Sequence, residues 1–105
     1  MEEKLLKIIN HYGFKNQLRK FNEETYELVE AIRNYEEQKI VCELCCEKLH
    51  TDKEKEHIAE ELADCMVLLE QFKLYYGITS KEITEIFWSK IDRQLNRIEK
   101  EVKDE

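Results

Sequence analysis

Proline is absent from this chain, and its only two glycines, Gly13 and Gly77, sit near opposite ends. Between them little forces a helix to break, because proline and glycine are the strongest interrupters of helical backbone. Long apolar runs are missing too: no stretch approaches the roughly 18 uninterrupted apolar residues of a membrane span. Cations are in deficit, with 17 Lys and Arg against 24 Asp and Glu and a net charge of −7. That deficit argues against sequence-independent binding to duplex DNA, which needs clustered cations to displace counterions. It leaves room for an anionic ligand that arrives with a divalent metal. The first residues, MEEKLLKIIN, are charged and amphipathic and lack the apolar core of a signal peptide. The expectation is a soluble cytoplasmic protein whose four cysteines, Cys42, Cys45, Cys46 and Cys65, stay reduced rather than form a disulfide framework.

What the chain has in abundance is charge interleaved with apolar residues. Charged residues make up 39% and apolar ones 42%, and the mean hydropathy is −0.69. With helix-like spacing, that mixture predicts long amphipathic helices with solvated outer faces rather than disorder. At 105 residues there is room for one core, hence a single domain over 1–105. A short first helix is expected over about 2–11, ended by Gly13. A second runs over about 15–36, with Leu18, Phe21, Thr25, Leu28, Val29 and Ile32 on one face. The segment 37–49 either extends that helix or forms its own piece, and 37–56 reads as an insertion or helix extension. HTDKEK at 50–55 is the best internal loop, with Thr51 or Asp52 as a cap. A third helix is expected over about 53–76, closed by Gly77. Thr79 or Ser80, with Glu82, suits a capping box that opens a last helix reaching about 103. The fold class is therefore all-α, an antiparallel bundle of four to five helices.

Two pairs of acids interrupt the apolar faces. Glu24 and Glu27 stand three residues apart in the second helix, and Glu61 and Asp64 three apart in the third. Such a pair projects from one face about a turn apart. At about 100° per residue, Glu61 falls within the arc of Ile58, Leu62, Cys65, Leu69 and Phe72, and Asp64 just off its edge. Should these two helices pack antiparallel through their apolar faces, four carboxylates converge. Their mutual repulsion must then either raise their pKa values or be neutralised by a cation. All-oxygen ligation favours hard ions, Mg²⁺ above all, with Mn²⁺ as a substitute. The plainer alternative is a solvated acidic face. No histidine has helical spacing with Glu24 and Glu27, which weakens a di-iron reading. On the last helix Lys90, Arg93 and Arg97 recur at i, i+3 and i+7 beside the seam of Phe87, Ile91, Leu95 and Ile98. They suit phosphate oxygens, or else a snorkelling rim.

The segments EETYELVEAI and EELADCMVLL resemble the MazG-like branch of the all-α nucleoside triphosphate pyrophosphohydrolases. That family carries E-E-x-x-E on one helix and E-x-x-D on the next, here Glu23, Glu24 and Glu27, then Glu61 and Asp64. The resemblance covers about residues 12–98 and includes Lys90, Arg93 and Arg97. It implies Mg²⁺-dependent cleavage of a nucleoside triphosphate to the monophosphate and pyrophosphate. Under it Glu24, Glu27, Glu61 and Asp64 are metal ligands and Glu23 orients water or supports the ligands. Gln17 and Lys20 lie around the nucleotide, and the protein is a homodimer or homotetramer. Two features depart from the family. Thirty-three residues separate Glu27 from Glu61, and the asparagine expected after the last-helix lysine has only Asn96, out of register, as a candidate. The alternative from another class is a catalytically silent helical oligomer that serves as an interaction module.

The string CELCCEKLH invites a zinc site from Cys42, Cys45 or Cys46, and His50, with His57 further on. One C-x-x-C without a matching second pair is weak, and small apolar packing is the simpler reading. Cys65 falls on the core arc. Trp88 lies off the last-helix seam, which suits a contact between subunits, and Tyr12 and Phe14 flank Gly13 where a base pocket would have its border.

Overall fold

The computed structural model describes residues 1–45 and 51–103, with side chains described for 1–39 and 53–103. The protein is all-α: among the described residues there are four helices and no strand. They are α1 (Glu2–Tyr12), α2 (Phe14–Cys45), α3 (Thr51–Tyr76) and α4 (Ser80–Lys103). No helix among the described residues is long and apolar enough to cross a membrane.

The helix ends follow from local chemistry. Gly13 has φ 88° and ψ 148°, a conformation essentially confined to glycine. Its N–H donates to the Ile9 carbonyl at 2.8 Å, closing α1, and its own carbonyl accepts from the Gln17 N–H at 3.1 Å, opening α2. Gly77, at φ 66°, ends α3 in a Schellman motif. Its N–H donates to the Leu74 carbonyl, and the Ile78 N–H donates to the Lys73 carbonyl at 2.9 Å. The capping box that opens α4 is complete: the Glu82 N–H donates to Thr79 Oγ1 at 3.1 Å and the Thr79 N–H to Glu82 Oε2 at 3.3 Å. Of the two candidate caps, Thr79 is the one used.

Two boundaries differ from the sequence reading. α2 runs on to Cys45, so the first part of the 37–49 segment extends it. α3 begins at Thr51, so most of HTDKEK is helix rather than loop. No proline or glycine interrupts 51–55, and Lys and Glu there propagate a helix well.

The chain divides into two compact units, Met1–Phe72 and Lys73–Glu105. In the first, α1 packs on α2, and α2 and α3 run antiparallel. Gln17 pairs with Gln71, and Phe14 and Phe21 both meet Phe72 edge-on, at 5.8 and 5.5 Å between ring centroids. Further along, the Gln38 amide, turned so that its nitrogen faces the acid, donates to Glu54. The α2–α3 seam is made by Gln17, Phe21, Glu24, Leu28, Ala31 and Tyr35 against Ile58, Glu61, Cys65, Leu68 and Phe72, each buried or half-buried. Its apolar interior is small, with Ala31, Cys65 and Leu68 fully buried there and Ile9 contributed by α1.

This seam shares Phe21, Leu28, Ile58, Glu61, Cys65 and Phe72 with the apolar arcs expected for the two helices, but it turns away from their other members. Leu18, Val29 and Ile32 of α2, and Leu62, Met66 and Leu69 of α3, are 41–63% exposed. Each follows a seam position. Antiparallel helices wind in opposite senses when viewed down one axis, so those six residues fall on the same side of the pair. They form a second apolar face, which the first unit leaves exposed.

In the second unit α4 is amphipathic, but none of its residues is buried. Ile86, Phe87, Trp88, Leu95, Ile98 and Val102 are all more than half exposed. Phe87 and Trp88 meet edge-on at 5.5 Å.

Candidate metal centre

The acid cluster is a consequence of helical spacing along the α2–α3 seam. Gln17, Phe21, Glu24, Leu28 and Ala31 recur at intervals of three and four, so Glu24 is carried inward with its apolar neighbours. Glu61 is carried inward by the same spacing with Cys65, Leu68 and Phe72. The antiparallel pairing then sets Glu24 against Glu61 and Asp64. One carboxylate oxygen from each of the three lies within 4.8 Å of the others. Glu24 is half-buried, Glu61 is only 8% exposed, and Asp64 is exposed at the solvent edge.

Burial of this kind is costly unless it is compensated, because an ionised carboxylate loses its water without gaining donors. Oε2 of Glu24 and Oε2 of Glu61 are both buried and have no hydrogen-bond partner. The same surroundings act on Glu24, whose pKa is pushed up from 4.5 to about 7. Burial is the largest cause, followed by the charges of Glu27 and Asp64 and by the contact with Glu61. The Cys65 thiol is raised too, first by burial and then by Glu24, Glu61 and Asp64. It therefore stays protonated beside the acids, which leaves an all-oxygen donor set. His57, four residues before Glu61, has Nε2 3.9 Å from Glu61 Oε1 and Nδ1 4.0 Å from Glu60 Oε2.

The structure thus brings together three of the four carboxylates expected to hold metal. Glu27 is exposed and outside the trio, although its charge is felt at Glu24. Glu23 and Lys20 are exposed on α2. Gln17 is buried at 3% exposure and donates from Nε2 to Gln71 Oε1 at 2.8 Å. Lys90, Arg93 and Arg97 are exposed on α4. Arg93 and Arg97 line an open depression of about 520 Å³ with Ser89, Asp92, Asn96 and Lys100. Cys46 and His50, and the side chains of Cys42 and Cys45, lie outside the described residues, and with them the zinc reading.

Two features around the cluster escaped the sequence reading. Gln71 gave no signal in the sequence. His57 is near the acids in sequence, at i, i+4 spacing to Glu61. The proximity of Cys65 to the acids needed the pairing of α2 with α3. Comparison with known proteins finds no matching family model, no matching curated protein and no matching solved structure.

Proposed function

We propose that this protein is a Mg²⁺-dependent nucleoside triphosphate pyrophosphohydrolase, acting on ribo- or deoxyribonucleotides as a homo-oligomer in the cytoplasm. The observation that carries the reading is the trio Glu24, Glu61 and Asp64, with two buried carboxylate oxygens that lack any donor. Three converging acids, with no lysine or arginine among their described partners, suit a hard divalent cation, and Mn²⁺ would serve in its place. The bound ion would polarise phosphate oxygens and lower the pKa of a coordinated water.

The chain's own residues account for the rest. Glu24, Glu61 and Asp64 hold the metal, and Glu27, one turn further along α2 and outside the trio, is the fourth ligand that the resemblance implies. Glu23 orients water near the ligands. Lys20 on α2 and Lys90, Arg93 and Arg97 on α4 receive phosphate oxygens, the arginines in a bidentate manner. The half-buried position of Glu24 and the buried one of Glu61 keep two ligands still, so little reorganisation is needed when charge builds on the phosphates. MazG-like pyrophosphohydrolases are the family whose paired motifs these residues resemble.

The exposed apolar residues support the oligomer. Met66 is 63% exposed and Trp88 58%, and a second apolar face on the α2–α3 pair is a large hydrophobic area for one chain to leave in water. The same exposure favours the second reading, a silent interaction module. One assay separates them: incubate the purified protein with a panel of NTPs and dNTPs plus Mg²⁺ and measure pyrophosphate. Release from at least one nucleotide is expected. No release from any, with no Mg²⁺-linked rise in melting temperature, refutes the enzyme.

A further inference from the structure

Gln71 is 1% exposed and is the largest side chain fully enclosed among the described residues, and its partner Gln17 is 3% exposed. Two amides buried at one end of the α2–α3 pair need a reason, since apolar residues of similar size would fill the space without a polar group to satisfy. The pair joins positions 54 residues apart through a hydrogen bond of 2.8 Å. Both partners lie seven residues from the acid cluster: Gln17 before Glu24, and Gln71 after Asp64. Seven residues is two helical turns, so on each helix the amide shares the face of the acid, about 10 Å along the axis.

We propose that the Gln17–Gln71 hydrogen bond is the register key of the α2–α3 pair and holds Glu24 in reach of Glu61 and Asp64. The other polar pair described between the two helices, Gln38 with Glu54, has an exposed amide and so constrains register less than a buried pair does. Phe21, Leu28, Ala31, Cys65, Leu68 and Phe72 contribute shape and apolar area, which tolerate a shift of one turn far better than a paired amide does. A one-turn shift moves the helices by about 5.4 Å, more than the 4.8 Å within which the three carboxylate oxygens gather. The metal-free acids also repel each other and push toward such a shift. Slippage leaves two buried amides unpaired, and that penalty opposes the repulsion. A buried polar pair among well-packed neighbours is a well-attested way of specifying register. The register claim stands on the seam alone; its consequence for metal binding rests on the metal reading above.

The test is the double variant Gln17→Leu/Gln71→Leu in the full chain, with two readouts. Aromatic NOEs in the metal-free protein report register directly, because Phe14 and Phe21 both meet Phe72. Calorimetric titration with Mn²⁺ reports the acid cluster. The expected result is retained helicity and melting temperature, loss or doubling of the Phe14–Phe72 and Phe21–Phe72 cross-peaks, and Mn²⁺ affinity about tenfold or more weaker. Preserved aromatic cross-peaks in a folded double variant overturn the proposal, whatever the metal does. Wild-type protein that binds no Mn²⁺ sinks the metal reading instead, and the cross-peaks then decide the register by themselves. Should the leucine pair fail to fold, Gln17→Asn serves in its place, since it keeps the amide but shortens its reach by one methylene. A single unchanged set of aromatic cross-peaks in Gln17→Asn likewise overturns the proposal, and doubled ones support it.

Discussion

Glu24 and Glu61 face each other across the α2–α3 seam, each with a buried Oε2 that no donor reaches. Asp64 closes the group from the solvent edge. An arrangement that costs stability in the empty protein becomes useful when a cation enters, and most of its consequences are measurable.

Removing a charge from the trio should separate function from folding. Glu61→Gln or Asp64→Asn is expected to lower pyrophosphate release by about 100-fold or more and to abolish the Mg²⁺-linked rise in melting temperature. Without metal, the same variants should melt at or above the wild-type temperature, because repulsion is relieved. Glu27→Gln, outside the trio, should weaken Mg²⁺ binding less than Glu61→Gln. Full activity in the Glu61 or Asp64 variant would show that the ligands are misassigned.

The raised pKa of Glu24 makes metal-free stability depend on pH with a definite sign. Between the ordinary 4.5 and about 7, the folded chain holds a proton that the unfolded chain has released. Stability from this group is therefore present below pH 4.5 and is lost as pH rises through 7. Urea melts in chelator should show a falling midpoint across that window, flattened in Glu24→Gln. Metal must displace the same proton, so Mg²⁺ affinity should climb up to about pH 7 and then level off. A midpoint that rises between pH 5 and 7, in wild type but not in Glu24→Gln, would contradict the assignment.

The cations of α4 should act on substrate rather than on metal. Arg93→Ala and Arg97→Ala are expected to raise KM for nucleotide several-fold while the Mg²⁺-linked melting shift stays at its wild-type size. Steady-state kinetics and thermal melts on the same preparations test the separation.

Oligomeric state follows from the exposed apolar face. Sedimentation equilibrium should give two or four times the 12.8 kDa chain mass. Met66→Glu, which puts a charge in the middle of the Leu62–Met66–Leu69 stripe, should shift the population toward the single chain. A monomer in wild type at micromolar concentration would remove the oligomer from the reading.

Helix ends offer a check that is independent of function. Thr79→Ala removes the side-chain half of the capping box and should cost about 1 kcal/mol in the stability of α4. Gly77→Ala forces a side chain into left-handed backbone and should cost about 1–2 kcal/mol. Circular dichroism during thermal melts measures both.

The sequence was most legible where structure is local. The ends at Gly13 and Gly77 and the Thr79–Glu82 box were readable because each depends on residues within one turn. The start of α3 was misread because Thr51 and Asp52 look like caps, yet nothing nearby stops a helix from passing through them. The direction of the apolar faces was read only in part, for a different reason. Leu18, Val29, Ile32, Leu62 and Leu69 pull the expected arcs away from Phe21, Leu28, Ile58, Cys65 and Phe72, although in the first unit the former five lie outside the seam. Meanwhile Gln17, Glu24, Glu61 and Gln71, polar by composition, are the residues taken inward or to its edge.

Helicity, the helix ends at Gly13, Gly77 and Thr79, and the two acid pairs were determined by the sequence alone, because backbone hydrogen bonds, caps and i, i+3 neighbours lie within a few residues of each other. Which carboxylates meet was decided by the tertiary structure. Convergence of Glu24 with Glu61 and Asp64, and the exclusion of Glu27 from that trio, depend on how α2 is rotated and set lengthwise against α3. The sum of contacts across the seam sets that rotation, and no local spacing encodes it.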